Sequence, residues 1–219
     1  MKKIIVIGAG IIGLSISYYL KKHNPDSFDI AIIEKSRAGL EASYAAAGML
    51  AAQSEFDFYE DFMDFCVKSR DMYLNYCNEI ENASKINVEY QKSGMIRPAL
   101  NEDHERHLRA NHQWQKNKGF EIEFLSGGEI REIEPSLSEN IICGLHSKND
   151  GQVNNRKLMQ GLIIANKNVN NKIIENTEVR DYLVNDKNKK IIGVKTVNNE
   201  TFNADIVINT AGSWSSLIS

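Results

Sequence analysis

A glycine-rich turn near the N-terminus, GAGIIG at residues 8–13, constrains the fold of this chain more than any other feature. Residues 3–7 before it form a β-branched run typical of a buried strand, and residues 11–22 have helix-forming character. A second apolar run, residues 30–33, is followed by Glu34. Strand, glycine turn, helix and strand within about 30 residues predict a βαβ unit, the building block of an α/β fold.

The three glycines of this turn have different predicted roles. Gly8 permits the tight turn, Gly10 lets the backbone approach a pyrophosphate, and Gly13 lets helix and strand pack closely. The helix N-terminus offers free N–H groups and a positive dipole to phosphates. Glu34 stands 21 positions after Gly13, where a carboxylate accepts hydrogen bonds from ribose hydroxyls and disfavours a 2′-phosphate. The pattern therefore favours FAD or NAD over NADP, the alternative being a glycine turn without a ligand.

A stretch of small side chains at residues 42–50 helps to decide between FAD and NAD. It reads ASYAAAGML, and Ser43 within it offers a hydroxyl to a phosphate. Small residues let a backbone lie against a flat or charged ligand, and a domain that binds only NAD has no obvious need of them here. We interpret the stretch as favouring FAD, with close helix packing as the alternative.

Several motifs carry a resemblance to a known family: GAGIIGLSISYYL, Glu34-Lys35, SYAAAGMLAAQSE, Gly94-Met95, Asp150-Gly151 and VINTAGSWS. With these the chain resembles the FAD-dependent D-amino-acid oxidase family, and within it the glycine oxidase branch of thiamine biosynthesis. The resemblance implies a Rossmann-like FAD-binding domain of the GR2 type, in residues 1–85 and 147–219. Residues 86–146 would be part of an inserted α+β substrate domain. One departure is Asn154-Asn155, where family members often carry an acid followed by proline, and we expect it to lie outside the cofactor contacts.

The resemblance also assigns parts of FAD to positions of this chain. It implies pyrophosphate contacts at Ile11 and Ile12, adenosine ribose contacts at Glu34 and Lys35, phosphate contacts at Ala42 and Ser43, flavin contacts at Ala47, Gly48 and Met49, and an adenine contact at the Val179 backbone. Thr210, Ala211 and Gly212 would close the cofactor site at the end of the last strand.

The reaction that the resemblance implies is oxidation of a C–N bond in glycine or another small amino acid or amine. Hydride passes to flavin N5, oxygen reoxidises the flavin, and the products are a keto acid, ammonia and hydrogen peroxide. No acid–base or nucleophile set stands out in the sequence, so no catalytic side chain is predicted. A D-amino-acid dehydrogenase or a sarcosine oxidase relative is an alternative.

A further alternative concerns the extent of the chain. In the resembling family the substrate arginine and a second glycine loop lie in the C-terminal part, which has no counterpart in these 219 residues. A catalytically incomplete fragment, or half of a split oxidase, is therefore also considered. On that basis we expect the chain alone to bind FAD weakly and to produce little peroxide.

Composition and charge limit the classes of partner that this chain is expected to bind. A net charge of −3 gives no electrostatic case for nucleic acid. The apolar run at residues 4–20 is broken by glycines, too short to span a membrane and followed by no cleavage site. Cys66, Cys77 and Cys143 have no metal-ligand spacing, and we predict free, buried thiols in a cytoplasmic protein. A second chain or a homo-oligomer stays open as a partner.

Four further helices are predicted, at residues 56–80, 102–118, 128–134 and 155–167. Residues 56–80 carry apolar side chains at helical spacing, namely Phe58, Phe62, Phe65, Met72, Tyr76 and Ile80, and this stripe is interpreted as core. Residues 102–118 form a polar helix, whose histidines at 104, 107 and 112 are interpreted as surface residues rather than metal ligands. Strands are predicted at residues 88–91, 95–99, 121–125, 141–146, 172–179, 180–184, 191–197 and 204–209.

Overall fold

The computed structural model describes residues 1–219 and shows alternating strands and helices. The strands are β1 (Lys2–Ile7), β2 (Phe28–Ile33), β3 (Met49–Leu50), β4 (Met95–Ala99), β5 (Glu123–Ser126), β6 (Cys143–Ser147), β7 (Gly151–Gln152), β8 (Lys172–Ile174), β9 (Val179–Val184), β10 (Ile191–Thr196), β11 (Thr201–Asn203) and β12 (Ile206–Asn209). The helices are α1 (Ile11–His23), α2 (Ala42–Ala45), α3 (Asp61–Ser84), α4 (Glu102–Asn117), α5 (Gly127–Ile133) and α6 (Asn155–Asn168), with a 3₁₀ helix at Gly212–Leu217.

The chain forms two compact units. The first consists of Met1–Ala47, Asn78–Val88 and Asn155–Ser219, and the second of Gly48–Cys77 and Glu89–Asn154. The boundary therefore passes through α3, whereas the sequence placed all of residues 1–85 in one domain. None of the helices combines the length and the apolar character needed to cross a membrane.

The first unit is built on a parallel sheet in the order β12-β1-β2-β8. Ile4 pairs with Ile30 on one side and with Ile206 on the other, so β1 is a central strand and its residues from Ile4 to Ile7 are buried. Strands covered on both faces are near-continuous apolar runs, as this one is. Helix α6 is held against α1 by Asn166, whose buried side-chain amide donates to the Leu14 carbonyl at 2.9 Å.

A second sheet in the same unit is antiparallel, in the order β11-β10-β9. Val179 of β9 and Val194 of β10 pack with Ile5, Ile7 and Ile33 of the parallel sheet into one buried cluster. This cluster closes the core of the first unit. The α/β class and the parallel sheet predicted from the sequence are thus confirmed.

The second unit contains an antiparallel sheet in the order β4-β6-β5, and a short ladder between β3 and β7. Its apolar cluster joins Leu108 of α4 to Ala99, Ile122, Cys143 and Leu145. Asn101 caps α4 by accepting from the His104 N–H at 2.9 Å, which is the local signal that begins this helix.

A buried polar cluster stands beside that apolar one in the second unit. Asp150, fully buried, receives Arg70 Nη1 at 3.0 Å and the N–H groups of Gln53 and Ser54. Gln53 also accepts from Arg70 at 2.7 Å. Each charge is therefore paired and hydrogen-bonded, which is the condition under which proteins bury ions.

The prediction that the stripe within residues 56–80 is core is wrong for four of its six side chains. Phe58, which precedes α3, and Phe62, Phe65 and Met72 are 61–67% exposed. Tyr76 is half-buried, and Ile80 is buried as predicted. The other buried positions of α3 are Met63, Arg70, Cys77 and Ser84, so the helix was predicted correctly but most of its buried face was not.

Smaller differences concern single elements. Residues 88–91 contain only an isolated bridge at Gln91, and β11 was not predicted. The strand expected at 172–179 ends at residue 174, and the one expected at 180–184 begins at residue 179. Helix α4 is confirmed, with His104 and His107 exposed. The three cysteines are free, as predicted; Cys77 and Cys143 are buried and Cys66 is half-buried.

Candidate functional site

A cavity of about 290 Å³ opens in the first unit where the strands of the parallel sheet end. Gly8, Glu34 and Thr210 line it, and each directly follows the last residue of β1, β2 or β12. In open parallel α/β sheets, ligands bind outside the carboxyl ends of the strands. The cavity therefore lies where this architecture places its binding site.

The glycine turn shapes one side of the cavity. Gly8 has φ +98°, and a Cβ there would lie 2.7 Å from the Thr210 carbonyl oxygen. A Cβ on Gly13 would lie 2.0 Å from the Gly8 oxygen, so neither position accepts a side chain without movement of the backbone. Gly10 is the N-cap of α1, and a Cβ there would lie 3.2 Å from Ser43 Oγ. The tight turn at Gly8 and the close packing at Gly13 agree with the roles predicted for these two glycines, whereas the approach of a pyrophosphate to Gly10 stays a prediction.

Glu34 brings a carboxylate to the cavity. It is 6% exposed, and its oxygens accept from the Ala9 N–H at 2.8 Å and the Ser36 N–H at 3.0 Å. Ser36 Oγ also donates to the carboxylate, at 3.3 Å. A carboxylate has about four acceptor positions, so these three bonds orient the group and leave one position for a ligand hydroxyl. The side chain is thus fixed by backbone donors from two loops.

Ser43 faces the beginning of α1. Its Oγ accepts from the Ile11 N–H at 3.0 Å, one of the helix N-terminal donors that has no partner within the helix. Ser43 is itself held by Asn155, whose amide donates to the carbonyls of Ser43 at 2.8 Å and Tyr44 at 2.9 Å. Asn155 does not line the cavity, but it holds a residue that does. The only sequence signal for this role was the departure from the family pattern at Asn154-Asn155.

The structure brings most of the predicted site residues together at this cavity. Those that line it are Gly8, Gly10, Ile11, Ile12, Glu34, Lys35, Ala42, Ser43 and Val179. Gly13 packs behind the turn, and Ala47 is exposed and does not line the cavity. Gly48 and Met49 begin the second unit, so their flavin contacts stay predictions.

Some lining residues were not assigned from the sequence. Trp214, Leu217 and Ile218 come from the 3₁₀ helix and the residue after it, and Thr177 and Arg180 flank Val179. No group of three or more His, Cys, Asp or Glu side chains in residues 1–219 is arranged to hold a metal ion. The lining of the cavity consists of backbone, apolar side chains and a few oriented polar groups.

A glycine turn at a helix N-terminus, beside an oriented carboxylate at the end of the next strand, defines a dinucleotide-binding protein of the α/β class. The comparisons with known proteins agree with this class and refine it. Residues 3–219 match the family described as DAO, FAD dependent oxidoreductase, and the chain belongs to this family.

Individual relatives point in the same direction. The chain is 30% identical over 210 residues to the glycine oxidase of Geobacillus kaustophilus, covering 95% of this chain and 54% of that protein. It is 29% identical to the bifunctional protein ThiO/ThiG of Synechocystis, covering 96% of this chain and 30% of that protein. The crystal structure of glycine oxidase from Bacillus cereus superposes with a TM-score of 0.89 at 29% identity, over 100% of this chain and 57% of that one. The chain thus spans about half the length of the glycine oxidases it matches.

Proposed function

We propose that this chain supplies the FAD-binding part of an oxidoreductase that oxidises the C–N bond of glycine or another small amino acid or amine. Membership of an FAD-dependent family supports the cofactor, and similarity to glycine oxidases supports the substrate class. The three free cysteines fit the predicted reducing cytoplasm. The link to thiamine biosynthesis rests on the resemblance of the sequence motifs.

The main observation behind the proposal is that the N-terminus of α1 and the Glu34 carboxylate line the same cavity. A pyrophosphate needs N–H donors and a close backbone approach, which the beginning of α1 and the glycines provide. A ribose needs an acceptor for its hydroxyls, which Glu34 provides. These residues therefore fit an adenosine diphosphate moiety, the part that FAD shares with NAD.

In this proposal the residues of the first unit bind and orient. The Ile12 N–H would face the pyrophosphate, the Ile11 N–H, which donates to Ser43 Oγ at 3.0 Å, would turn to it only by exchanging this bond, and the Val179 backbone would face adenine. Bound FAD would supply the acceptor for the hydride of the substrate Cα. The substrate would leave as an imine, which water would hydrolyse to a keto acid and ammonia, and O₂ would accept the two electrons with two protons as hydrogen peroxide.

Calorimetric titration of the chain with FAD, ADP, FMN and NAD⁺ tests the cofactor assignment. We expect binding of FAD and ADP and none of FMN, because FMN lacks the adenosine end. Glu34→Gln should weaken FAD binding about tenfold through the loss of an ionic acceptor. Glu79→Gln is the matched control, since Glu79 pairs with Lys22 in the same unit at 2.8 Å and does not line the cavity. Absence of FAD binding to the native chain would contradict the proposal.

A complementation experiment tests the reaction. The chain is combined with the separately expressed part of the Geobacillus kaustophilus glycine oxidase that it does not match, and peroxide is measured with glycine, sarcosine and D-alanine. We expect peroxide only from the combination. Reduction of an artificial acceptor without oxygen uptake would instead support the dehydrogenase alternative.

A further inference from the structure

The 3₁₀ helix Gly212–Leu217 forms a wall of the cavity that the sequence did not assign. It starts at the end of β12, and the last residue, Ser219, bonds to β9: its N–H donates to Arg180 O at 3.2 Å, and its carbonyl accepts from the Tyr182 N–H at 2.7 Å. The segment is therefore tied at both ends. Trp214 from the middle of this segment lines the cavity.

Trp214, which follows β12, contacts Lys35, which follows β2, and these two strands lie on either side of β1. The Lys35 ammonium lies over the Trp214 ring, 3.5 Å from its centroid, and 3.8 Å from a Glu41 carboxylate oxygen. An ammonium at this distance is attracted by the negative face of the indole. Lys35 directly follows Glu34, so the contact fixes the indole beside the group that would hold the ribose.

We propose that Trp214 contacts the adenosine diphosphate part of the cofactor, and that Lys35 is a positioning residue for its ring. This inference rests on the proposed FAD-binding function and goes beyond it by adding a direct cofactor contact. Trp214 is 37% exposed although it lines a cavity, so the indole keeps free surface for a ligand. An aromatic ring beside an adenosine site suits adenine because bases stack on indole surfaces with little geometric restriction.

Fluorescence gives a direct test, because the chain has only two tryptophans. Trp114 lies in the second unit, so Trp114→Phe leaves Trp214 as the single emitter. Titration with ADP should change its emission saturably, with the same midpoint as calorimetry on the native chain. ADP has no flavin ring, so energy transfer to a flavin cannot produce the change. FMN at the same concentrations should leave the emission unchanged after correction for its absorbance.

Affinity measurements on separate variants add a second readout. Trp214→Leu should weaken ADP and FAD binding about tenfold, while Trp214→Phe should retain most of the affinity. Lys35→Met should shift Trp214 emission even without ligand, and Lys35→Arg should restore it because Arg keeps the cation over the ring. The matched control is Lys118→Met, which removes an ammonium 3.7 Å from the Tyr59 ring in the second unit and should change neither quantity.

The outcomes separate the inference from the function beneath it. If FAD and ADP bind the native chain but Trp214→Leu binds them equally well and the indole emission ignores ADP, the inference is overturned and the proposed function stands. If the native chain binds neither FAD nor ADP, the proposed function fails and the inference fails with it. If Trp214→Leu unfolds, the emission titration of the folded Trp114→Phe variant decides the matter.

Discussion

The two units each contain a polar centre, and the two centres are built in opposite ways. In the first unit, the glycine turn and Glu34 present backbone N–H groups and a carboxylate to a cavity. In the second unit, Arg70, Asp150 and Gln53 are almost completely buried and bond to one another and to further protein groups, among them Asp71, which also pairs with Arg70 at 2.9 Å. The first centre has polar capacity left over, whereas the second is closed on itself.

This difference indicates that the first centre serves ligand binding and the second serves the stability of the fold. A polar group with a spare donor or acceptor beside a cavity can hold a ligand, while a buried group whose bonds are all internal contributes to the fold. Substitutions in the second centre should therefore act on the free energy of unfolding. Substitutions around the first should act mainly on cofactor affinity, except where a glycine has no room for a side chain.

The largest effect is expected at Asp150. Asp150→Asn removes the buried carboxylate opposite Arg70 and leaves only the exposed Asp71 to pair with it, so we expect a loss of about 3 kcal/mol in the free energy of unfolding. Urea denaturation measures it. Asp103→Asn, in an exposed pair with Arg106, is the control and should change stability by less than about 0.5 kcal/mol. If Asp150→Asn and Asp103→Asn both changed the free energy of unfolding only slightly, the buried cluster around Asp150 would not contribute to stability as stated.

Gly13→Ala should come next. Its Cβ would lie 2.0 Å from the Gly8 oxygen, so the turn or the helix must move, at a cost of about 1–3 kcal/mol. FAD affinity should fall as well, because the same movement displaces the helix N-terminus. Gly128→Ala, where the nearest atom is 3.8 Å away, is the control and should be neutral or stabilising in thermal unfolding.

Asn155→Ala should affect binding more than folding. It releases the Ser43 and Tyr44 carbonyls, and we expect FAD affinity to fall about fivefold, or about 1 kcal/mol, with little change in thermal stability. Asn168→Ala removes a similar bond to Ala83 O from the other end of α6 and should leave the affinity unchanged. A fall in affinity for both variants would indicate general loosening of the helix.

The smallest effect is expected for Asp57, an exposed carboxylate in the second unit. Hydrogen bonds from His107 and Arg97 lower its pKa below the usual 3.8. A lowered pKa in the folded state stabilises the fold above pH 3.8, and this contribution fades as the pH falls through the lowered value. Asp57→Asn should therefore cost a few tenths of a kcal/mol at pH 6, with the difference from the native chain vanishing in acid.

Features that depend on neighbouring residues could be predicted from the sequence, whereas features that depend on contacts between distant residues could not. The βαβ unit was predicted correctly, and most of the candidate cofactor residues line one cavity, because glycine geometry, strand periodicity and helix starts are local. Trp214 and Asn155 were missed as site residues because their roles depend on partners 179 and 112 positions away. Helix α3 shows the same limit, since the side that packs in the fold includes Arg70, whose burial depends on the distant Asp150, while Phe62 and Phe65 stay exposed.

The sequence by itself determined the α/β class, the glycine turn and the acid that follows the second strand, because each depends on the conformations open to a few neighbouring residues. The tertiary structure alone decided that Arg70 and Asp150 share a closed centre, that the phenylalanines of α3 are exposed, and that Trp214 meets Lys35. Burial and pairing between distant residues depend on which surfaces meet in the fold, and no local pattern encodes that choice.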